Sequence, residues 1–119
     1  MSILKEGDKP SSEMNCNAEK LVLTRNGAIT QCRGCQRIGF TYKNLLIGFD
    51  LDQFLGFSRF LSKVNFEKYC IRCSESPPYL IINTCHHDIQ FALNREEFEE
   101  FKDMSQQARL MLEVLGILS

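Results

Sequence analysis

Laid over itself 44 positions along, this chain repeats its apolar and helix-capping pattern without a gap. Residues 37–57, RIGFTYKNLLIGFDLDQFLGF, fall on residues 81–101, IINTCHHDIQFALNREEFEEF. Ile38 meets Ile82, Leu45 meets Ile89, Ile47 meets Phe91 and Phe49 meets Leu93. Asp50 meets Asn94, Gln53 meets Glu97, Phe54 meets Phe98 and Phe57 meets Phe101. Identities are few, but the apolar positions and caps keep register. The physical reading is a β-hairpin feeding a capped helix, used twice. That reading predicts an α+β domain: an antiparallel sheet of about six or seven strands with two helices on one face, built from two hairpin–helix repeats.

The local signals agree. Residues 20–25 and 28–32 are short runs rich in β-branched residues, separated by Asn26-Gly27. Asn-Gly between two such runs predicts a hairpin with a type I′ turn, which needs positive φ at both central residues. Ile38, Phe40 and Tyr42 alternate, Lys43-Asn44 turns, and residues 45–49 return. Asp50 with Gln53 three residues on is a capping box. It opens a helix from 51 to about 63 whose apolar positions (51, 54, 55, 57, 60, 61 and 64) form a stripe broad enough for a well-buried helix. Residues 66–73 read as a strand, and Pro77-Pro78 makes residues 74–78 a loop, because proline cannot donate to a ladder. Residues 79–85 form a further strand, His86-His87-Asp88 turns, and Ile89, Phe91 and Leu93 return. Asn94 and Glu97 complete a second capping box. Glu96, Glu97, Glu99 and Glu100 crowd the start of its helix, where the dipole favours negative charge. The seam Phe98, Phe101, Ala108, Met111/Leu112 and Leu115 carries this helix two to three turns further than the first.

A length of 119 residues fits one domain. Residues 1–18 are polar and read as a flexible arm, leaving 19–119 as the domain, with one repeat over about 19–64 and the other over about 65–116. With 14 basic and 15 acidic residues there is no surplus of positive charge for a nucleic-acid or anionic-membrane surface. No apolar run approaches the ~20 residues of a membrane span. The first residues lack the apolar core of a signal peptide, which points to the cytoplasm. Thiols there stay reduced, so the six cysteines suggest metal binding, reactivity or packing before disulfides.

Four of those cysteines form two C-x-x-C pairs, Cys32/Cys35 and Cys70/Cys73. Zinc takes four thiolate or imidazole ligands at tetrahedral angles. Two cysteines three apart reach one ion only where the backbone turns back, and Arg33-Gly34 supplies such a reversal between strands, with Gly34 free to take positive φ. Nothing between Cys70 and Cys73 favours a turn, so Cys85, His86, His87 and Cys16 stand as substitute ligands. The alternative is that the thiols are small buried hydrophobes with no metal. The two pairs do not overlay under the 44-residue shift, so a four-cysteine site would join the halves.

The first half resembles a family of small uncharacterised bacterial proteins of the Bacteroides group. The likeness rests on Cys32-x-x-Cys35, on Phe40-Thr-Tyr-Lys-Asn-Leu45 running to Phe49, on Phe54-x-x-Phe57, and on Asn94-Arg95-x-Glu97. It implies a bacterial cytoplasmic protein and no particular activity.

Three functions fit these residues. The first is a non-enzymatic binding module, with or without a structural zinc, whose partner is a second copy or another protein. The second is a thiol enzyme or redox protein using Cys32/Cys35 or Cys85/His86. The third is a zinc-ribbon nucleic-acid binder served by Arg25, Arg33, Arg37 and Lys43, which the acidic second helix opposes. No catalytic residue is assigned: the sequence holds no nucleophile elbow, phosphate loop, H-E-x-x-H or dinucleotide fingerprint. The first reading predicts an exposed apolar face and no deep polar pocket.

Overall fold

The computed structural model describes residues 18–84 and 86–116. The chain is α+β, in the order β1 (Ala18–Leu23), β2 (Gly27–Cys32), β3 (Ile38–Tyr42), β4 (Leu45–Phe49), α1 (Leu51–Lys63), α2 (Phe66–Tyr69), β5 (Ile71–Cys73), β6 (Ser76–Asn83), β7 (Gln90–Leu93) and α3 (Arg95–Val114). The seven strands make two antiparallel sheets rather than one: β1-β2-β3-β4 and β5-β6-β7. Among the described residues the edge strands β4 and β7 are not paired with each other. The interior is instead closed by rings, with Phe101 of α3 at its centre. Phe101 lies against Phe40 and Phe91 at 4.6 Å, Tyr42 at 5.4 Å and Phe57 at 5.9 Å. One helical side chain thereby joins both sheets and α1.

Both capping boxes are present. Asp50 accepts from the Gln53 backbone N–H at 2.7 Å and Asn94 from that of Glu97 at 2.8 Å, each with the reciprocal bond. The helices then cross closely. Ser58 and Ser105 are both fully buried, and Gln106 Nε2 donates to the Ser58 carbonyl at 2.9 Å. Small side chains let the two backbones approach, and the amide ties them.

Four local expectations fail for identifiable reasons. The 26–27 turn is not type I′, since neither residue has positive φ. Thr24 organises it: its hydroxyl accepts from Asn26 N at 3.2 Å and Gly27 N at 3.1 Å. Gly27 is needed for space instead, because a Cβ there would lie 2.1 Å from the Thr41 carbonyl oxygen. In the Cys32–Cys35 loop the positive φ falls on Gln36, at 65°, not on Gly34. The strand expected over 66–73 begins as a helical turn, because Asn65 caps it through its side chain at Lys68 N, 3.2 Å. Finally, Pro77 and Pro78 lie inside β6. They sit where β5 slips register and before β7 starts pairing at Leu80, so no ladder bond is asked of them.

Of the expected N-terminal arm, residues 1–17 lie outside the described residues.

Candidate functional site

After β2 the chain reverses around Cys32 and Cys35. Cys32 N–H donates to the Arg37 carbonyl at 2.9 Å, and Gln36 N–H returns to the Cys32 carbonyl at 2.7 Å. The Cys35 backbone N–H points at Cys32 Sγ, 3.4 Å away. Cys32 is disulfide-bonded, whereas reduced thiols were expected. Cys70 and Cys73 lie elsewhere: Cys70 caps the end of α2, and Cys73 is exposed in β5 of the other sheet, where Ser74-Glu75 separates it from β6. Among the described residues no three Cys, His, Asp or Glu side chains gather closely enough to hold a metal ion. Cys16 and Cys85 lie outside the described residues. His86 and His87 are exposed at a hairpin tip, which Thr84 closes by accepting from His86 N at 3.0 Å and donating to the Ile89 carbonyl at 2.8 Å.

Two of the four basic residues named for nucleic acid have acidic partners: Arg33 pairs with Glu19, and Lys43 with Glu97, both at 2.5 Å. Arg37 reaches across the sheet, its guanidinium 3.1 Å from where a Cβ on Gly48 would stand.

A second polar cluster pins the strand tips to α3. Glu100 accepts from Asn26 Nδ2 at 2.8 Å and from the Tyr42 hydroxyl at 2.9 Å. The Asn26 bond holds the Glu100 carboxyl below its usual range, against the opposing effect of burial, with help from Tyr42 and the Lys43 charge. Burial pushes the Tyr42 phenol well above its ordinary value, and its bond to Glu100 adds to this. Lys43 and the Asn94 backbone likewise hold Glu97 low. Every bond here is between elements of the fold, so the cluster reads as a latch.

The feature that sequence reasoning missed is a groove. The stripe on α1 predicts a well-buried helix, yet only Phe54, Ser58 and Leu61 are fully covered. Phe60 is 49% exposed. With Lys63 and Val64 it forms one wall of an open cavity of about 430 Å³. Tyr69 and Ile71 form the other wall, both exposed, and Leu80 to Ile82 of β6 form the floor. Past Phe60 the surface dips again, over Gly56, Phe57 and Asn83, through about 350 Å³. The signal for the groove was in the sequence: an apolar stripe wider than one packed neighbour can cover. Among the described residues, the ionisable side chains lining the cavity between Phe60 and Ile71 are Lys63 and Tyr69.

These features define a small α+β protein with an apolar groove between α1 and β6. Residues 14–117 match a family of unknown function (DUF6686), and the chain belongs to it. No curated protein and no solved structure matches the chain.

Proposed function

We propose that this protein is a small non-enzymatic interaction module whose working surface is the groove between α1 and β6. One observation carries the reading: Phe60, Tyr69 and Ile71 stand exposed around a common apolar floor, on three different elements of secondary structure. Apolar surface taken from water is worth about 25 cal/mol per Å². Contiguous exposed apolar patches on rigid elements are where partners bind. A peptide-display selection tests this, with a Phe60→Asp variant as counter-target. Phe60 is half-exposed, so the variant folds. The reading predicts ligands with apolar residues at helical spacing that lose the variant. Ligands that hold both proteins equally overturn it.

A second reading concerns Cys32 and Cys35. The Cys35 N–H aimed at Cys32 Sγ, with Gln36 in the left-handed region, supports a zinc knuckle once Cys32 is reduced. The pair would supply two thiolates, with the remaining ligands drawn from Cys70, Cys73, Cys85, His86 and His87. Metal analysis after purification under reducing conditions without chelator tests it. One zinc per chain, lost in a Cys35→Ser variant, supports the site; reduced protein without metal overturns it.

We further read residues 37–57 and 81–101 as two copies of one unit, in a bacterial cytoplasmic protein. Support for the duplication comes from strand–strand–capped-helix in both segments. Relatives in which the spacing between the two capping boxes varies freely would count against it.

A further inference from the structure

We infer that the occupant of the groove is the C-terminal end of α3 from a second copy of this chain, in a reciprocal dimer; this rests on the groove being the working surface. The last two turns of α3 carry two well-exposed apolar side chains. Leu110 is 60% exposed and Val114 77%. They are four apart, so they stand one above the other on one face of the helix. Ala108 and Leu112, from the same turns, are fully buried in the chain's own core. The outer face therefore cannot reach its own groove without unfolding the helix. A convex apolar ridge and a concave apolar groove are thus both open on one chain, and each is the shape the other lacks.

Charge makes the match directional. The last turn of α3 contains Glu113 and no basic residue, so the negative pole of the helix is left uncompensated by its own sequence. The cation lining the groove is Lys63, and Lys68 lies 5.5 Å over the ring of Tyr69 on the opposite wall. A helix end with Glu113 in its last turn, beside Leu110 and Val114, meets an apolar floor with Lys63 at its edge. One ridge in one groove is a small contact. The reciprocal pair doubles it and closes the assembly, as two-fold symmetric interfaces do. The result falls at the weak end of specific interfaces, with a dissociation constant in the micromolar range.

Sedimentation equilibrium of the whole chain across the micromolar range tests this. The wild type dimerises. Val114→Glu weakens the dimer by about tenfold or more, the loss expected for an apolar anchor. Lys63→Glu and Glu113→Lys each weaken it, and the double exchange restores it. Both positions are at the surface, and circular dichroism with thermal melts verifies that every variant is folded. A monomer throughout the range overturns the inference, as does a dimer insensitive to Val114→Glu or a double exchange that fails to restore association. If the chain is monomeric while groove-dependent peptides are still recovered by display, the dimer alone falls and the groove remains the working surface. If neither is found, both fall.

Discussion

The two long helices begin alike and end in different circumstances. Each opens with a complete capping box, yet α1 fully buries three residues and α3 buries six. The difference is only partly length, 13 residues against 20. Helix α3 lies over β1, β2, β6 and β7, so whichever way its inner face turns it meets a sheet. Helix α1 packs on β4 and α3 and has open space towards β6. An apolar stripe states what a helix can bury. How much it does bury depends on how many neighbours the topology supplies, and the remainder is surface available to a partner.

The largest effect should separate two phenylalanines. Phe101 is fully buried at the junction of both sheets and α1. Phe101→Ala should cost about 3–5 kcal/mol in denaturant unfolding, from lost burial and the cavity left behind. Phe60→Ala, on the groove wall, should cost less than about 1 kcal/mol. Equal losses would mean that the groove is closed in solution, and the contrast between the helices would fail.

A smaller effect concerns the latch that fixes the start of α3 and has no counterpart on α1. Tyr42→Phe should cost about 1.5–3 kcal/mol, the range for a hydrogen bond to a charged group. The pH dependence has two signs. Glu100 has its folded pKa lowered, so its contribution is complete above the unfolded carboxylate value and is lost as pH falls through the folded one. Tyr42 has its folded pKa raised, so its contribution is present below the ordinary phenol value of about 10 and is lost as pH climbs through the folded one. Wild type should therefore weaken at both extremes, while Tyr42→Phe removes the alkaline limb. An alkaline limb that survives in the variant would show that Tyr42 is not its source.

The same contrast explains what the sequence discloses. Caps are local: Asp50 with Gln53 and Asn94 with Glu97 are legible because donor and acceptor are three residues apart, and both helix starts agree. Alternation placed β3, β4 and β7 for the same reason. The short helix at Phe66 escaped because residues 66–73 read as one strand although Asn65 before them is a helix cap. The split into two sheets escaped because which strands pair is a long-range matter that no window of sequence contains. Among the site residues, the Cys32–Cys35 reversal was legible from spacing, but its left-handed residue was misplaced by one rule, that glycine takes positive φ, when Gln36 takes it. The groove was legible only as surplus: six apolar positions on α1 and a seventh at its C-cap, more than its neighbours cover.

The caps themselves offer a finer comparison. Asp50→Ala and Asn94→Ala should each cost about 1 kcal/mol. Asn94→Ala should be the larger loss, because Glu97 also holds Lys43 at the β3–β4 turn, whereas Gln53 has no second bond across the fold. Thermal melts of the two variants with and without Lys43→Ala check this: the cycle should show coupling for Asn94 and none for Asp50.

The smallest effect sharpens the comparison most, because its sign is informative. Gly56 sits in the middle of α1, and a Cβ built there meets nothing within 4 Å. Fold stability therefore gives no reason for a glycine, and Gly56→Ala should raise it by about 0.5–1 kcal/mol through helix propensity and a less free unfolded chain. The residue does line the continuation of the groove beyond Phe60. A bare backbone there lets another surface approach α1 closely, which an alanine methyl would prevent. The variant should melt higher than wild type and bind groove ligands more weakly. A higher melting temperature with unchanged binding would confine the contact to the pocket between Phe60 and Ile71. A lower melting temperature would mean that the helix needs glycine for itself, and the contrast with α3 would then lie in the backbone rather than in the number of neighbours.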